Sequence, residues 1–143
     1  MLLTCEEVMK RPLVTVVEDD DMGLAETLLR ERNIRHLPVV RDGRLLGLLT
    51  ARDVFSRACW PHDAPVAQAM VREVKTVRPG TPVRHAARIM RAQHISCLPV
   101  LDADRRLIGL ITEADLVELA GELAEEQDRA DAEVCRGPMA PKA

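Results

Sequence analysis

The chain has 143 residues with a net charge of −3, and its 47% hydrophobic and 30% charged residues are typical of a folded, water-soluble domain. Phe55 and Trp60 are its only aromatic residues, which counts against recognition of single-stranded nucleic acid by base stacking, and the acidic balance gives no general attraction to nucleic acid or anionic lipid. No apolar run approaches the ~20 residues of a transmembrane helix, so no membrane span is predicted.

In the first half of the chain, β-branched residues predict a short extended segment at Val14–Val16. An acidic turn at 18–21 then precedes a helix predicted over 22–33, for which Asp20 is an N-cap candidate. Two apolar runs separated by turn residues predict a β-hairpin, and a second helix follows it. The predicted bounds are Leu37–Val40, Leu45–Leu49 and a helix that begins at Ala51.

The second half repeats this order. An extended segment is predicted at Lys75–Val77, and a helix over 83–93 has Thr81 as its N-cap candidate and Pro82 at its first position. A hairpin of Cys97–Leu101 and Leu107–Ile111 precedes a long helix that begins at Glu113. Residues 128–143 lose the helical periodicity and gain Pro and Gly, which predicts a helix end and a flexible tail.

The two halves are copies of one another. Residues 8–40 align with 69–101 at an offset of 61 with 10 of 33 positions identical, and residues 44–54 align with 106–116 with 6 of 11 identical. Because Pro, Gly, Thr and Asp recur in the same order, this is an internal repeat and not chance similarity. The most informative matches are Met9/Met70, Thr15/Thr76, Pro38/Pro99, Gly47/Gly109, Thr50/Thr112 and Asp53/Asp115.

Each copy predicts a β-α-β-β-α unit. The fold class is therefore α+β with α/β-type repeats, divided into residues 1–61 and 62–127. Because a unit of about 60 residues buries too little surface to be stable alone, we expect the two units to share a core around a pseudo-twofold axis.

The repeated string resembles a known family. An apolar-Pro-Val strand, a turn, and then Gly-apolar-apolar-Thr-x-x-Asp at the start of a helix is similar to the CBS domain, and two copies in tandem resemble a CBS pair, or Bateman module. The resemblance covers residues 4–125, and the chain looks like a stand-alone pair.

The resemblance implies a regulatory module without an obligatory cofactor, in which clefts between the repeats bind AMP, ADP, ATP, S-adenosylmethionine or related adenosyl ligands. Carried over by motif position, Asp53 and Asp115 hold the ribose hydroxyls, and Thr50 and Thr112 lie near the phosphate or ribose. The remaining implied ligand-binding residues flank the base: Thr15, Val16, His36, Leu37, Pro38, Thr76, Val77, Cys97, Leu98 and Pro99.

Elementary chemistry agrees with these roles. A carboxylate accepts one hydrogen bond per oxygen from a cis-diol, and a Thr hydroxyl together with backbone N–H groups at a helix start suits a phosphate. The contrast between the acidic run 18–21 and the basic residues Arg78, Arg84 and Arg88 suggests that the cleft of Thr112 and Asp115 favours phosphorylated ligands.

Structural alternatives stand beside each of these roles. Thr50-x-x-Asp53 and Thr112-x-x-Asp115 also match capping boxes, in which the acidic residue stabilises the helix start and needs no ligand. His36 and Cys97 hold equivalent positions and are of types that often only pack, although Cys97 is also a candidate redox-sensitive thiol.

No catalytic motif is present: the chain lacks G-x-S-x-G, GxxxxGK[ST] and G-x-G-x-x-G, so no catalytic residue and no enzymatic activity are predicted. The alternative function is a non-catalytic interaction or assembly module with empty clefts. In either case we expect a homodimer, since closed twofold assembly is the commonest outcome for soluble homo-oligomers, and an unidentified regulated protein as a partner.

The compartment is inferred from the chain start and the cysteines. The chain turns acidic at Glu6 and Glu7, unlike a signal peptide, so we expect a cytoplasmic protein with free thiols. Cys59 and His62 form a C-x-x-H, but no second pair stands at zinc-site spacing, so no metal site is predicted.

Overall fold

The computed structural model describes residues 2–11, 13–56 and 60–136. Within them each repeat supplies a short helical turn, a helix, a hairpin and a second helix, which confirms the mixed helix-and-strand fold class. The first repeat contains α1 (Cys5–Val8), α2 (Met22–Glu31), β1 (His36–Arg41), β2 (Arg44–Thr50) and α3 (Ala51–Phe55). The second contains a 3-10 turn (Val66–Gln68), α4 (Val83–Gln93), β3 (Cys97–Leu101), β4 (Leu107–Thr112) and α5 (Glu113–Cys135).

Each hairpin forms a two-stranded antiparallel sheet. In the first, His36 pairs with Thr50, and in the second Cys97 pairs with Thr112. The tight turn of the first hairpin uses Asp42 and Gly43, both with positive φ, which suits the right-handed twist of the flanking strands. The pairing register therefore places the residue before Leu-Pro beside the Thr that ends the hairpin, in both repeats.

The predicted strands at Val14–Val16 and Lys75–Val77 are not full strands. Val16 makes a single parallel bridge to Val39, and Val77 makes the same bridge to Val100. Two backbone hydrogen bonds of 3.0 and 2.9 Å hold Val16 between Pro38 and Val40. The chain then turns into the following helix, so pairing stops after one residue.

Helices α2 and α4 begin at the predicted residues, but the N-cap of each lies one position after the predicted N-cap. Asp21 is the N-cap of α2 and accepts a 2.8 Å hydrogen bond from Leu24 N, whereas Asp20 accepts from Val17 N and closes the preceding turn. Pro82 is the N-cap of α4 and not its first helical residue, and the hydroxyl of Thr81 accepts from Arg78 N. Cap geometry is set by the chain path into the helix, which composition alone does not specify.

The repeats exchange their leading segments, defined as residues 4–10 and 65–71. Residues at the start of the chain bond to the second repeat, with Cys5 N donating to Thr81 O at 2.8 Å. Reciprocally, Val66 N donates to Asp20 O at 2.8 Å in the first repeat. Single antiparallel bridges Lys10–Leu110 and Val71–Leu48 extend each hairpin with the other repeat's segment, which gives the pair its pseudo-twofold relation.

The cores follow this exchange. Cys5 and Met9 are buried with Val77, Leu98 and Ile111 of the second repeat. The core of the first repeat contains side chains from the leading segment of the second, since Val66 and Met70 pack there among Val16, Ala25, Leu29, Leu37 and Leu49. Neither repeat has a complete core without residues from the other, so the two fold as one body.

The matched glycines Gly47 and Gly109 make this exchange possible. A Cβ added at Gly47 would lie 2.8 Å from both Met70 Sδ and Val71 O. At Gly109 it would collide with the side chain of Met9 in the same way. The glycines of the repeated motif are therefore explained by close approach of the leading segments.

Helix α5 begins in the body and then runs into solvent. Its start packs against β4, but every residue from 120 to 131 is exposed, and Val117 and Leu123 are 72% and 52% exposed. The helix continues to Cys135, further than the periodicity suggests, while residues 137–143 of the predicted tail lie outside the described part. None of the described helices is long and apolar enough to cross a membrane.

Candidate functional site

The Thr50 cleft, named after the residue that ends β2, is a cavity of about 270 Å³ between the two repeats. The first repeat provides one wall, and residues that follow Met70 together with the start of β3 provide the other. Its lining residues are His36, Leu48, Thr50, Val71, Glu73, Val74, Lys75, His94, Ile95, Ser96 and Cys97. The cleft therefore combines an apolar wall with a hydroxyl, a carboxylate and a lysine, as small-molecule sites usually do.

Thr50 and Asp53 are locked together at the start of α3. Thr50 Oγ1 donates to Asp53 Oδ2 at 2.9 Å and accepts from Asp53 N at 3.2 Å. The Thr50 hydroxyl therefore caps α3 as predicted, whereas the reciprocal capping box forms at Thr112 and Asp115 and not here. The bond occupies one oxygen of the Asp53 carboxylate. Asp53 is half-buried, makes no ion pair within the described residues and does not itself line the cavity; it adjoins the cleft through its hydrogen bond to Thr50.

Two residues in the lining of the Thr50 cleft join the repeats by a hydrogen bond. His36 Nε2 lies 2.9 Å from Ser96 Oγ, and both residues line the cavity. Burial lowers the pKa of His36, Arg35 lowers it further, and Glu113 acts in the opposite direction. The imidazole is therefore neutral at pH 7 and able to act as donor or acceptor.

The Thr112 site differs from its counterpart. Asp115 Oδ2 accepts from Thr112 N at 2.9 Å, and its side chain is only 3% exposed. Lys10 Nζ approaches Asp115 Oδ1 at 3.3 Å, although this oxygen accepts no hydrogen bond within the described residues. In the repeat alignment Lys10 corresponds to Val71, so the first site has no such internal cation.

The surroundings of Cys97 disfavour its thiolate form. Burial, followed by the nearby Asp115 carboxylate, raises the pKa of Cys97 to about 12. Burial also raises the pKa of Cys5 to about 11. Since the thiolate is the reactive form, neither buried cysteine suits a redox sensor at neutral pH.

The remaining sequence-predicted residues lie away from the cavity surface. Six are buried in the core: Val16, Leu37, Pro38, Val77, Leu98 and Pro99. Thr15 is exposed, and Thr76 is exposed at a second cavity that is separate from the Thr50 cleft. The structure thus gathers His36, Thr50 and Cys97 around one cleft, and places Thr112 and Asp115 at the other site.

Sequence reasoning missed the contribution of residues 71–75. Glu73 and Lys75 line the Thr50 cleft because they directly follow the leading segment of the second repeat, which crosses to the first. Lys10 was missed for the same reason. The sequence signal for this exchange is the methionine repeated at positions 9 and 70. Each lies in a leading segment and is buried in the core of the opposite repeat.

The charged residues outside the clefts have structural uses. In the acidic run, Glu18 pairs with Arg41 and Asp21 caps α2. Among the described residues, no group of three or more His, Cys, Asp or Glu side chains is arranged to hold a metal ion. Cys59 of the C-x-x-H lies outside the described residues.

Comparison with known proteins identifies the family. The family model for the CBS domain matches residues 5–58 and again residues 66–122. The chain therefore belongs to the CBS domain family and carries two copies of the domain.

Relatives and solved structures agree with this assignment. Homoserine O-acetyltransferase of Methanohalobium evestigatum is 35% identical over 117 residues, which are 81% of this chain and 24% of that enzyme. The chain spans about a quarter of the length of the curated enzymes it matches, so the similarity reaches only their CBS part.

Two solved CBS structures are similar over most of the chain. The CBS domain pair of protein MJ0100, in complex with 5′-methylthioadenosine and S-adenosyl-L-methionine, is 29% identical with a TM-score of 0.78, covering 85% of this chain and 98% of that one. CBSX2 in complex with AMP is 27% identical with a TM-score of 0.75, again covering 85% and 98%.

Proposed function

We propose that the protein is a non-enzymatic regulatory module that senses an adenosine-type ligand, AMP, ADP, ATP or S-adenosylmethionine, in the clefts between its CBS repeats. The observation that carries this proposal is the Thr50 cleft, an open cavity of about 270 Å³ whose lining residue Thr50 is hydrogen-bonded to the Asp53 carboxylate. Adenosyl ligands bound to two similar CBS structures support the ligand class.

Each group in the Thr50 cleft has a proposed role. The free oxygen of Asp53 accepts from the ribose hydroxyls, and the Thr50 hydroxyl lies near the ribose or phosphate. The adenine packs on the apolar wall of Leu48, Val74 and Ile95, while Lys75 faces the phosphate or the carboxylate of the ligand. The Leu-Pro pairs of β1 and β3 are buried, so their proposed role is to position the backbone beside the adenine and not to contact it with their side chains.

We assign primary binding to the Thr50 cleft. Asp115 is almost fully buried and ion-paired with Lys10, so a ribose has to displace that contact, whereas Asp53 is half-exposed. Lys75 also places a cation in the first cleft. The charge contrast in the sequence favours the opposite cleft, that of Thr112 and Asp115, for phosphorylated ligands, and the variants described below distinguish the two preferences.

Assembly and location are part of the proposal. The apolar side chains exposed on α5 support a homodimer formed through its helices, and such a dimer has a regulated protein as its further partner. Cys5, Cys97 and Cys135 are free thiols, which supports a reducing, cytoplasmic compartment.

Isothermal titration with AMP, ATP, S-adenosylmethionine and adenosine tests the proposal. We expect a dissociation constant in the micromolar range for at least one ligand, or about −8 kcal/mol. Asp53→Ala should weaken that ligand by ~1.5–3 kcal/mol, the usual value for hydrogen bonds to a charged group. The matched variant Asp115→Ala should reduce affinity much less.

The alternative function predicts a different outcome. If no adenosyl ligand raises the melting temperature of the wild type, the clefts are empty and the module serves only interaction or assembly, since any ligand that binds the native state alone must stabilise it. Equal loss of affinity in the Asp53 and Asp115 variants would contradict the preference for the Thr50 cleft.

A further inference from the structure

A second cavity of about 320 Å³ lies beside the hairpin turns and is lined by three arginines and no acidic residue. Arg44 comes from β2, Arg72 from the segment after Met70, and Arg105 from the turn between β3 and β4. We call this the arginine cavity. The hydroxyl of Thr76 and the apolar side chain of Val74 complete its wall.

These three guanidinium groups have no partner in the part of the chain that the structure describes. Within the described residues none of them forms a hydrogen bond or an ion pair, whereas Arg11, Arg30 and Arg41 are paired with glutamates. In the turn between β3 and β4, Asp102 Oδ1 accepts from the N–H groups of Asp104 and Arg106 at 2.9 Å. An uncompensated cluster of positive charge in a concave site attracts an anion.

The arginine cavity and the Thr50 cleft are separate. Val71, Glu73 and Lys75 line the cleft, while Arg72 and Thr76 line the arginine cavity, and Val74 borders both. Along residues 71–76, alternate residues therefore line the two sites. A ligand in the arginine cavity is not the far end of a ligand in the Thr50 cleft, because the segment lies between them.

The geometry points to a binding site for a compact, phosphate-bearing polyanion in the arginine cavity. Guanidinium groups match phosphate oxygens with paired hydrogen bonds, and three of them suit several charges better than one. The volume is at the lower end of the ~300–1,000 Å³ of small-molecule sites. The inference does not depend on an adenosyl ligand in the Thr50 cleft.

The repeat supplies a matched control. Arg11 is the equivalent of Arg72 in the first repeat, but it is ion-paired with Glu6 at 3.7 Å and lines neither cavity. Arg72 and Arg11 are both exposed, so their replacement by alanine should leave the fold intact, which circular dichroism verifies. Lys75→Ala removes the cation of the Thr50 cleft and is the second control.

The test is isothermal titration with tripolyphosphate. We expect binding that weakens with salt and falls about tenfold or more in Arg72→Ala, with Arg11→Ala and Lys75→Ala like the wild type. Absence of binding, or equal loss in Arg72→Ala and Arg11→Ala, overturns the proposal. Loss in Lys75→Ala but not in Arg72→Ala also overturns it, because the anion is then in the Thr50 cleft.

Titrations with the Asp53→Ala variant distinguish a nucleotide from a free polyphosphate as the ligand of the arginine cavity. In that variant the proposed contact of Asp53 with the ribose in the Thr50 cleft is removed. ATP binding that remains there and is lost on adding Arg72→Ala identifies a nucleotide phosphate chain as the ligand. Tripolyphosphate binding without ATP binding identifies a free polyphosphate. Failure of adenosine to bind the wild type bears on the proposed function alone and leaves the tripolyphosphate result unchanged.

Discussion

Lys10 Nζ lies 3.3 Å from Asp115 Oδ1, so the leading segment of the first repeat neutralises a buried carboxylate of the second. Removing one partner of a buried pair leaves an uncompensated charge, and since Lys10 is 65% exposed, solvent screens part of that cost. We expect Lys10→Ala to lower the free energy of unfolding by about 1–2 kcal/mol in urea denaturation. The double variant Lys10→Ala/Asp115→Asn should recover much of the lost stability. If Lys10→Ala alone is as stable as the wild type, the ion pair contributes nothing to stability.

Gly47 and Gly109, which the leading segments approach closely, leave no space for a side chain. Gly47→Ala and Gly109→Ala should each lower the free energy of unfolding by about 1–3 kcal/mol, because the new Cβ collides with Met70 or Met9. Gly121→Ala is the control: its Cβ meets nothing within 4 Å on exposed α5, and helix propensity should make that variant more stable by ~0.5–1 kcal/mol. Urea denaturation of the three variants measures the contrast, and equal effects would contradict the close-approach explanation.

The threonines that end the hairpins cap the helices that follow. Thr50→Ala and Thr112→Ala should each cost about 1 kcal/mol of stability, because the hydroxyl accepts from the N–H of Asp53 or Asp115. Thr→Ser at either site should restore most of it. Thr27→Ala is the matched control, since the Thr27 hydroxyl only donates back to Gly23 O within α2. A loss at Thr27 as large as at Thr50 would argue against capping as the cause.

His36 should make stability depend on pH. Its pKa is lower in the folded protein than the ordinary 6.5, chiefly through burial, so the unfolded chain binds the proton more readily. The contribution of the neutral imidazole is therefore present above about pH 6.5 and is lost as the pH falls toward the folded pKa. His36→Asn should reduce the difference between free energies of unfolding measured at about pH 7.5 and about pH 5.5.

The control for this dependence is His94→Asn. His94 is exposed and has a left-handed backbone conformation with φ 54°, which asparagine also adopts. We expect the wild-type pH dependence in that variant. The same reduction at both positions would mean that burial of His36 is not the cause.

The exposed face of α5 should determine the oligomeric state. Leu123→Lys places a charge among the apolar side chains that we propose to form the dimer contact, and light scattering should show a monomer where the wild type is a dimer. Glu122→Lys, also exposed on α5 at the neighbouring position, should remain dimeric. A wild type that is monomeric at micromolar concentration would contradict the proposed dimer.

Local periodicity accounts for the elements that the sequence predicts well. Helix α4 and strand β3 have the predicted bounds, because an amphipathic stripe and a buried apolar run are properties of consecutive residues. The repeat also established the architecture and the family, since two incomplete units of equal pattern must complete each other's core.

Only the tertiary structure decided which side chains meet. The alignment treats the first and second repeats as equivalent, yet Lys75 faces the Thr50 cleft from the second repeat and Lys10 reaches Asp115 from the first. Lys10 and Asp115 are 105 positions apart, and Lys75 and Thr50 are 25 apart. Both contacts depend on segments that cross between the repeats, and no local pattern encodes that crossing. Composition and spacing thus determined the secondary structure and the family of each repeat. The exchange of the leading segments, which buries Met9 and Met70 in the core of the opposite repeat, determined which charged residues each cleft contains.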